Sequence, residues 1–157
     1  MNIGSSAHRV EDFGPADPDL AHGYSAVGAY ARSKAALVAW SLDPADRLRA
    51  SGIDVVALCP GLNNTRLSAA MTGGIGGPPA NGAALVVHAG TSADPTGGYA
   101  ENGRPAEPSP AIQSPAYRRD VANVIAARLL PLSGRPSRRR RRRVHDARHP
   151  KALRHLA

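Results

Sequence analysis

Residues 28–40 read GAYARSKAALVAW, and the reading of this stretch decides the rest. From about Tyr24 to Ala50 the pattern is helical, with Ala35, Leu37, Val38, Trp40, Leu42 and Leu48 supplying apolar faces. Tyr30 and Lys34 stand four residues apart. On a helix they project from one face a turn apart, so a phenol and an ammonium can share one pocket. A free tyrosine loses its proton near about pH 10, and a nearby cation favours the phenolate, so such a pair can exchange a proton with a substrate hydroxyl at milder pH.

Two flanking segments give the pair its context. Upstream, Met1 to His8 (MNIGSSAH) reads as the end of a buried strand running into a serine-bearing loop. Downstream, Ser51 to Thr65 (SGIDVVALCPGLNNT) reads as a buried parallel strand over Gly52 to Cys59, ended by Pro60-Gly61 and followed by a threonine four residues after the glycine. In this order the features resemble the C-terminal half of a short-chain dehydrogenase/reductase, over about residues 1 to 130. The long serine-to-tyrosine gap, with Ala7-His8 and Tyr24-Ser25 inside it, is similar to the retinol-dehydrogenase-like branch.

The resemblance implies an α/β fold: the C-terminal half of a Rossmann-like doubly wound parallel sheet, about three strands with flanking helices. It implies an oxidoreductase that transfers a hydride between NAD or NADP and an alcohol, aldehyde or ketone, a lipophilic one in the retinol-dehydrogenase-like branch. Ser5 then orients the substrate oxygen, with Ser6 its rival for that role, Tyr30 passes the proton, and Lys34 favours the phenolate and bonds the nicotinamide ribose. Pro60, Gly61, Asn63 and Thr65 fall on the family's nicotinamide-contacting segment, although Asn63 stands where an apolar residue is usual. The family's glycine-rich turn, which cradles the pyrophosphate at a helix N-terminus, and the asparagine that completes its catalytic group would both lie upstream of Met1. The isolated 157-residue chain is therefore expected to be inactive.

Residue content bounds these expectations. With 157 residues, 42% apolar and 4% aromatic, the chain suits one small domain with few large core side chains. A lone cysteine, Cys59, excludes an internal disulfide and suits a reducing compartment. The N-terminus shows no signal-peptide pattern, and no apolar run reaches the eighteen or so residues a membrane span needs. The reading is a cytoplasmic protein.

Between the motifs, Val10 to Gly23 is acidic and broken by Pro15 and Pro18, which predicts an irregular surface loop covering the site. His8 and His22 fit no short metal-ligand spacing and read as solvated loop histidines, so no metal site is expected. Pro44 predicts a kink or break near Asp43. Gly73 to Pro79 (GGIGGPP) lacks the Lys-Ser/Thr of a phosphate loop and reads as a short flexible segment. A helix is expected over Ala80 to Ala93, a last strand over Gly97 to Ala100, and a helix from Ser114-Pro115 through Leu130.

The net charge of +8 is unevenly placed. Residues 1–133 hold ten Lys/Arg against eleven Asp/Glu, and residues 134–157 hold ten against one, a balance of +9. Six consecutive arginines, Arg138 to Arg143, repel one another and predict a disordered tail outside the folded domain of residues 1–133. Two functional alternatives to the enzyme follow: a non-catalytic remnant, and a polyanion-binding protein acting through this tail without sequence preference. The tail also has a bland reading, since Arg, Pro, His and Ala are what GC-rich DNA encodes in many frames.

Overall fold

The strand Val56–Cys59 (β2) is buried along its whole length because both of its faces are covered. Ala57 and Cys59 point into a cluster with Val38, Ala39, Ile112 and Val121, whereas Val56 and Leu58 meet Leu85, Val86 and Ala89 on the other side. Alternate side chains of a strand face opposite ways, so four consecutive apolar residues require a layer on each face. The protein is accordingly a mixed α/β structure, seen in a computed structural model that describes residues 1–91 and 98–133.

The sheet is open and mostly parallel, in the order β1-β2-β3-β4. Strand β1 (Asn2–Ile3) pairs parallel to β2 with Asn2 opposite Ala57. Strand β3 (Gly98–Glu101) pairs parallel on the other side, with Val56 opposite Gly98 and Cys59 opposite Glu101. A fourth strand, β4 (Arg104–Pro105), returns antiparallel to β3. The three parallel strands match the expected number, and β4 is an antiparallel addition that was not anticipated. Asn102 (φ 51°) and Gly103 (φ 77°) both adopt left-handed backbone, the geometry of a two-residue hairpin turn that an Asn-Gly pair favours. The ordered strand β2 is also shorter than the predicted run from Gly52, and Ile53 is exposed.

Helix α1 (Ala26–Leu42) opens at Ser25, whose hydroxyl accepts the Gly28 amide at 3.0 Å. Its buried positions include Ala31, Ala35, Val38, Ala39 and Leu42, one stripe at helical spacing. The alanines leave room for the helix to lie close to the sheet. The break expected from Pro44 is present: α1 ends at Leu42 and a short helix, α2 (Ala45–Arg49), restarts after the proline. Beyond β2 come α3 (Arg66–Thr72) and α4 (Pro79–Thr91). After β4 come α5 (Pro110–Gln113) and α6 (Pro115–Ser133). The Ser114 hydroxyl accepts the Tyr117 amide at 3.4 Å, as the serine-proline start predicts.

The loop from Val10 to Gly23 is irregular, as expected, but it is moored to the helices more than to the site. Arg32, 9% exposed, donates to the carbonyls of Gly14 and Asp17 and lies 3.9 Å from Glu11. Phe13 is buried, and its carbonyl accepts the Tyr117 hydroxyl at 2.9 Å. The reading of residues 134–157 as a disordered tail lies outside the described residues.

Candidate active site

Chain leaves β1 through Gly4 and Ser5, and leaves β2 through Pro60 to Thr65. Both exits fall at the carboxyl ends of parallel strands, where open α/β sheets offer a crevice to ligands. A cavity of about 590 Å³ opens there. Its walls include Ser5, Tyr30, Lys34, Pro60, Gly61, Asn63 and Thr65, so all seven proposed site residues meet at one place although they come from three separate stretches. Ser6 lines the same cavity. Of the Val10 to Gly23 loop only Val10 does, which narrows its expected cover over the site.

Ser5 is half-buried with extended backbone (φ −159°), and its hydroxyl accepts the Ala7 amide at 3.2 Å. Its proton finds no acceptor among the described residues. Ser6 is exposed, and its amide donates to the Cys59 sulfur at 3.1 Å. Tyr30 is half-buried, and its hydroxyl has no protein partner among the described residues. The Lys34 ammonium donates to the Ile3 carbonyl at 3.1 Å and sits 5.7 Å from the centroid of the Tyr30 ring. The β1 carbonyl therefore fixes the ammonium beside the phenol, an attractive cation–π arrangement. Among the described residues lining the cavity, Lys34 carries the one charge.

The post-β2 segment is held from within. Asn63 donates through its side-chain amide to the Pro60 and Gly61 carbonyls, each at 3.1 Å, and accepts the Gly82 amide of α4 at 3.1 Å. Its carboxamide is thus committed to loop structure, which accounts for a polar residue where the resemblance leads one to expect an apolar one. Thr65 caps α3 in a reciprocal arrangement with Ser68: each side chain accepts the other's backbone amide, at 3.2 and 2.8 Å. Within the glycine-rich segment, Gly77 donates to the Leu62 carbonyl and accepts from the Asn64 amide. Helix α3 contributes Leu67 and Met71 to a wall that Leu62, Val27 and Val10 extend, all of them exposed apolar side chains.

Gly61 has φ +77°, and a Cβ there would stand 2.5 Å from the Asn102 side-chain oxygen. A left-handed conformation costs a non-glycine residue about 1–2 kcal/mol. Gly61→Ala is therefore expected to destabilise the fold by roughly that amount. Urea unfolding with an unchanged slope and a lower midpoint checks it.

His8 overturns its sequence reading. It is completely buried, with both ring nitrogens hydrogen-bonded, not solvated; His22 is the exposed one, its side chain 94% accessible. Burial is the largest influence on His8 and lowers its pKa below the ordinary 6.5. No group of three His, Cys, Asp or Glu residues that could hold a metal occurs among the described residues. Nor, among them, is any helix long and apolar enough to cross a membrane.

A second cavity, of about 810 Å³, lies at the opposite ends of the strands, beside Gly98 and Pro105. It takes Arg49 and Arg118 alongside Asp46 and Glu107. With the two signs balanced, it selects for neither.

Arg32, Ser68 and the apolar α3 wall were not anticipated as parts of the site or its support. Thr65-x-x-Ser68 carried a local capping signal, whereas nothing local marked Arg32, whose carbonyl partners come from a separate loop. Comparisons with protein-family models, with curated proteins and with solved structures return no match.

Proposed function

We propose that the chain is the C-terminal half of an oxidoreductase of the short-chain dehydrogenase/reductase type, retinol-dehydrogenase-like, with a Rossmann-like sheet. The observation that carries this reading is the gathering of Ser5, Tyr30, Lys34 and the Pro60-to-Thr65 segment around one cavity at the carboxyl ends of β1 and β2. The cytoplasmic location belongs to the same proposal.

The donor set fits the nicotinamide-ribose end of NAD or NADP. Among the described residues Lys34 has one protein acceptor, which leaves protons for ribose hydroxyls, and Tyr30 has a hydroxyl to add. Pro60, Gly61 and Thr65 offer a rigid wall along the ring, and Asn63 holds that wall in shape. When bound, the nicotinamide supplies or takes up the hydride. Within the cavity Ser5 orients the substrate oxygen through its free hydroxyl proton, Tyr30 gives or takes the proton on that oxygen, and Lys34 supplies positive charge beside the phenol. The exposed apolar wall suits a lipophilic alcohol, aldehyde or ketone.

The pyrophosphate finds less. None of the three parallel-strand exits among the described residues, Gly-Ser-Ser after β1, Pro-Gly-Leu-Asn-Asn-Thr after β2 and Asn-Gly after β3, has the glycine spacing of a dinucleotide-binding turn. The 157-residue chain is therefore expected to show no NAD(P)H turnover by itself. Kinetics of a chimaera that adds a nucleotide-binding half, with and without the Tyr30 hydroxyl, test the reading. An inactive chimaera that binds cofactor would favour a non-catalytic remnant.

The +9 balance of residues 134–157 supports a second, independent activity: binding of polyanions without sequence preference. Fluorescence anisotropy with unrelated DNA oligomers is expected to show affinity falling by ~10³-fold or more between about 50 and 200 mM salt. Deleting residues 134–157 is expected to remove the binding. Affinity indifferent to salt would rule out the electrostatic account.

A further inference from the structure

His8 sits where the strand exit bearing Ser5 meets the segment leading into α5, 101 residues away in sequence. The Ser109 backbone amide donates to His8 Nε2 at 3.1 Å. That nitrogen therefore carries no proton. Nδ1 lies 2.6 Å from the Ser5 carbonyl, so it holds the ring proton and donates it there. The partners thus dictate one neutral tautomer. The ring is 0% exposed and packs edge-on against Tyr99, centroids 4.9 Å apart at 71°.

We propose that His8 is a positioning residue for the candidate site: its neutral ring ties the Ser5 carbonyl to the Ser109 amide and so holds the serine at the cavity wall, and acid releases the tie. The functional weight of this tie rests on the role proposed for Ser5, but the tie itself does not. A second proton can be placed only on Nε2, and there it would set an N–H against the N–H of Ser109.

The charged neighbours are mixed. Arg9, on the same turn, opposes a positive ring, and is itself held by Glu101 at 2.8 Å and by the Glu107 carbonyl at 2.7 Å. Glu101 on β3 and Asp12 in the following loop favour a positive ring, and Asp12 also accepts the Ser109 hydroxyl at 3.5 Å. Tyr99, the remaining titratable neighbour, has its own ionisation pushed up by burial. For His8 burial outweighs the carboxylates, so its folded-state pKa lies below 6.5. The sign follows: the tie contributes fully above the ordinary histidine pKa and is lost as pH falls through the lower folded value.

Long-range ¹⁵N–¹H spectra of the full chain test this, because the Nδ1-protonated ring has its own pattern. At pH 7.5 His8 is expected to show that pattern. On acidification the Ser5 carbonyl ¹³C shift and the protection of the Ser109 amide should change with the His8 midpoint, protection falling roughly tenfold or more. His8→Asn retains a donor toward Ser5 and removes the acceptor for Ser109. It should leave Ser109 weakly protected at every pH. An Nε2-protonated ring at neutral pH, a midpoint at or above 6.5, or Ser109 protection indifferent to the His8 titration would overturn the proposal. None of these readouts involves turnover. Their failure would remove the tie, whereas failure of the Tyr30 kinetics would remove the oxidoreductase reading.

Discussion

Tyr30→Phe, in a chimaera that joins this chain to the nucleotide-binding half of a complete short-chain dehydrogenase, is expected to lower kcat by roughly 10²- to 10⁴-fold, the range general acid–base catalysis supplies. The substitution keeps the ring, and with it the cation–π contact to Lys34 at 5.7 Å, but removes the hydroxyl that has no protein partner among the described residues. Cofactor affinity should therefore stay within about threefold, since the ribose contact proposed for Lys34 would survive. Lys34→Ala is different. It removes the charge beside the phenol and the donor to the Ile3 carbonyl, so both affinity and kcat should fall. The unmodified chain should show no rate, because positioning of the cofactor is worth about 7–11 kcal/mol of barrier and no dinucleotide-binding turn to hold the pyrophosphate occurs among the described residues. Stopped-flow and steady-state assays with NADH and NADPH decide the matter. Full activity in the Tyr30→Phe chimaera would refute the role assigned to Tyr30, whereas turnover by the unmodified chain would refute its expected inactivity and support the enzyme.

Leu58→Ala should be the most damaging single change to the fold. Leu58 is completely buried at the middle of the sheet and packs with Val56, Ala100 and the α4 residues Leu85, Val86 and Ala89. Its paired neighbours are Ile3 on β1 and Ala100 on β3. With both backbone sides held in ladders, the strand cannot collapse into the space left behind. The loss is expected to reach about 2–5 kcal/mol, a lowering of Tm by roughly 4–20 °C. Leu67→Ala is the control, because that side chain is 58% exposed on α3. It should change stability by no more than about 0.5 kcal/mol. Differential scanning calorimetry of the two variants checks both. Equal effects would mean that Leu58 is not at the centre of the core.

The legible parts of this chain were those with a local cause. The run from Gly52 to Cys59 announced a strand buried on both faces, of which Val56–Cys59 is the part that forms, and Pro44 announced the end of α1, because a proline removes a helical hydrogen bond wherever it falls. Ser114 announced a helix start by the same kind of short-range chemistry. The four-residue spacing of Tyr30 and Lys34 put both on one face of α1 before any tertiary contact was known. Asn102-Gly103 was equally local and was missed, since the short β4 beyond it has no apolar alternation to mark it as a strand.

Sequence by itself, through the motifs and the resemblance they carry, thus indicated the α/β character and the approximate places of α1, β2, α4 and α6, and set Tyr30 and Lys34 on one helix face. Only the tertiary structure decided where those side chains meet and what holds them. Lys34 owes its place to a carbonyl on β1, 31 residues away, and Asn63 owes its role to an amide on α4, 19 residues away. His8 shows the difference most sharply. In the chain it stands between an alanine and an arginine and reads as a solvated loop residue, yet it is sealed from water by Tyr99 and bonded to Ser109. A side chain's burial and hydrogen-bond partners depend on what the fold carries to it from far along the chain, and no property of its sequence neighbours encodes that.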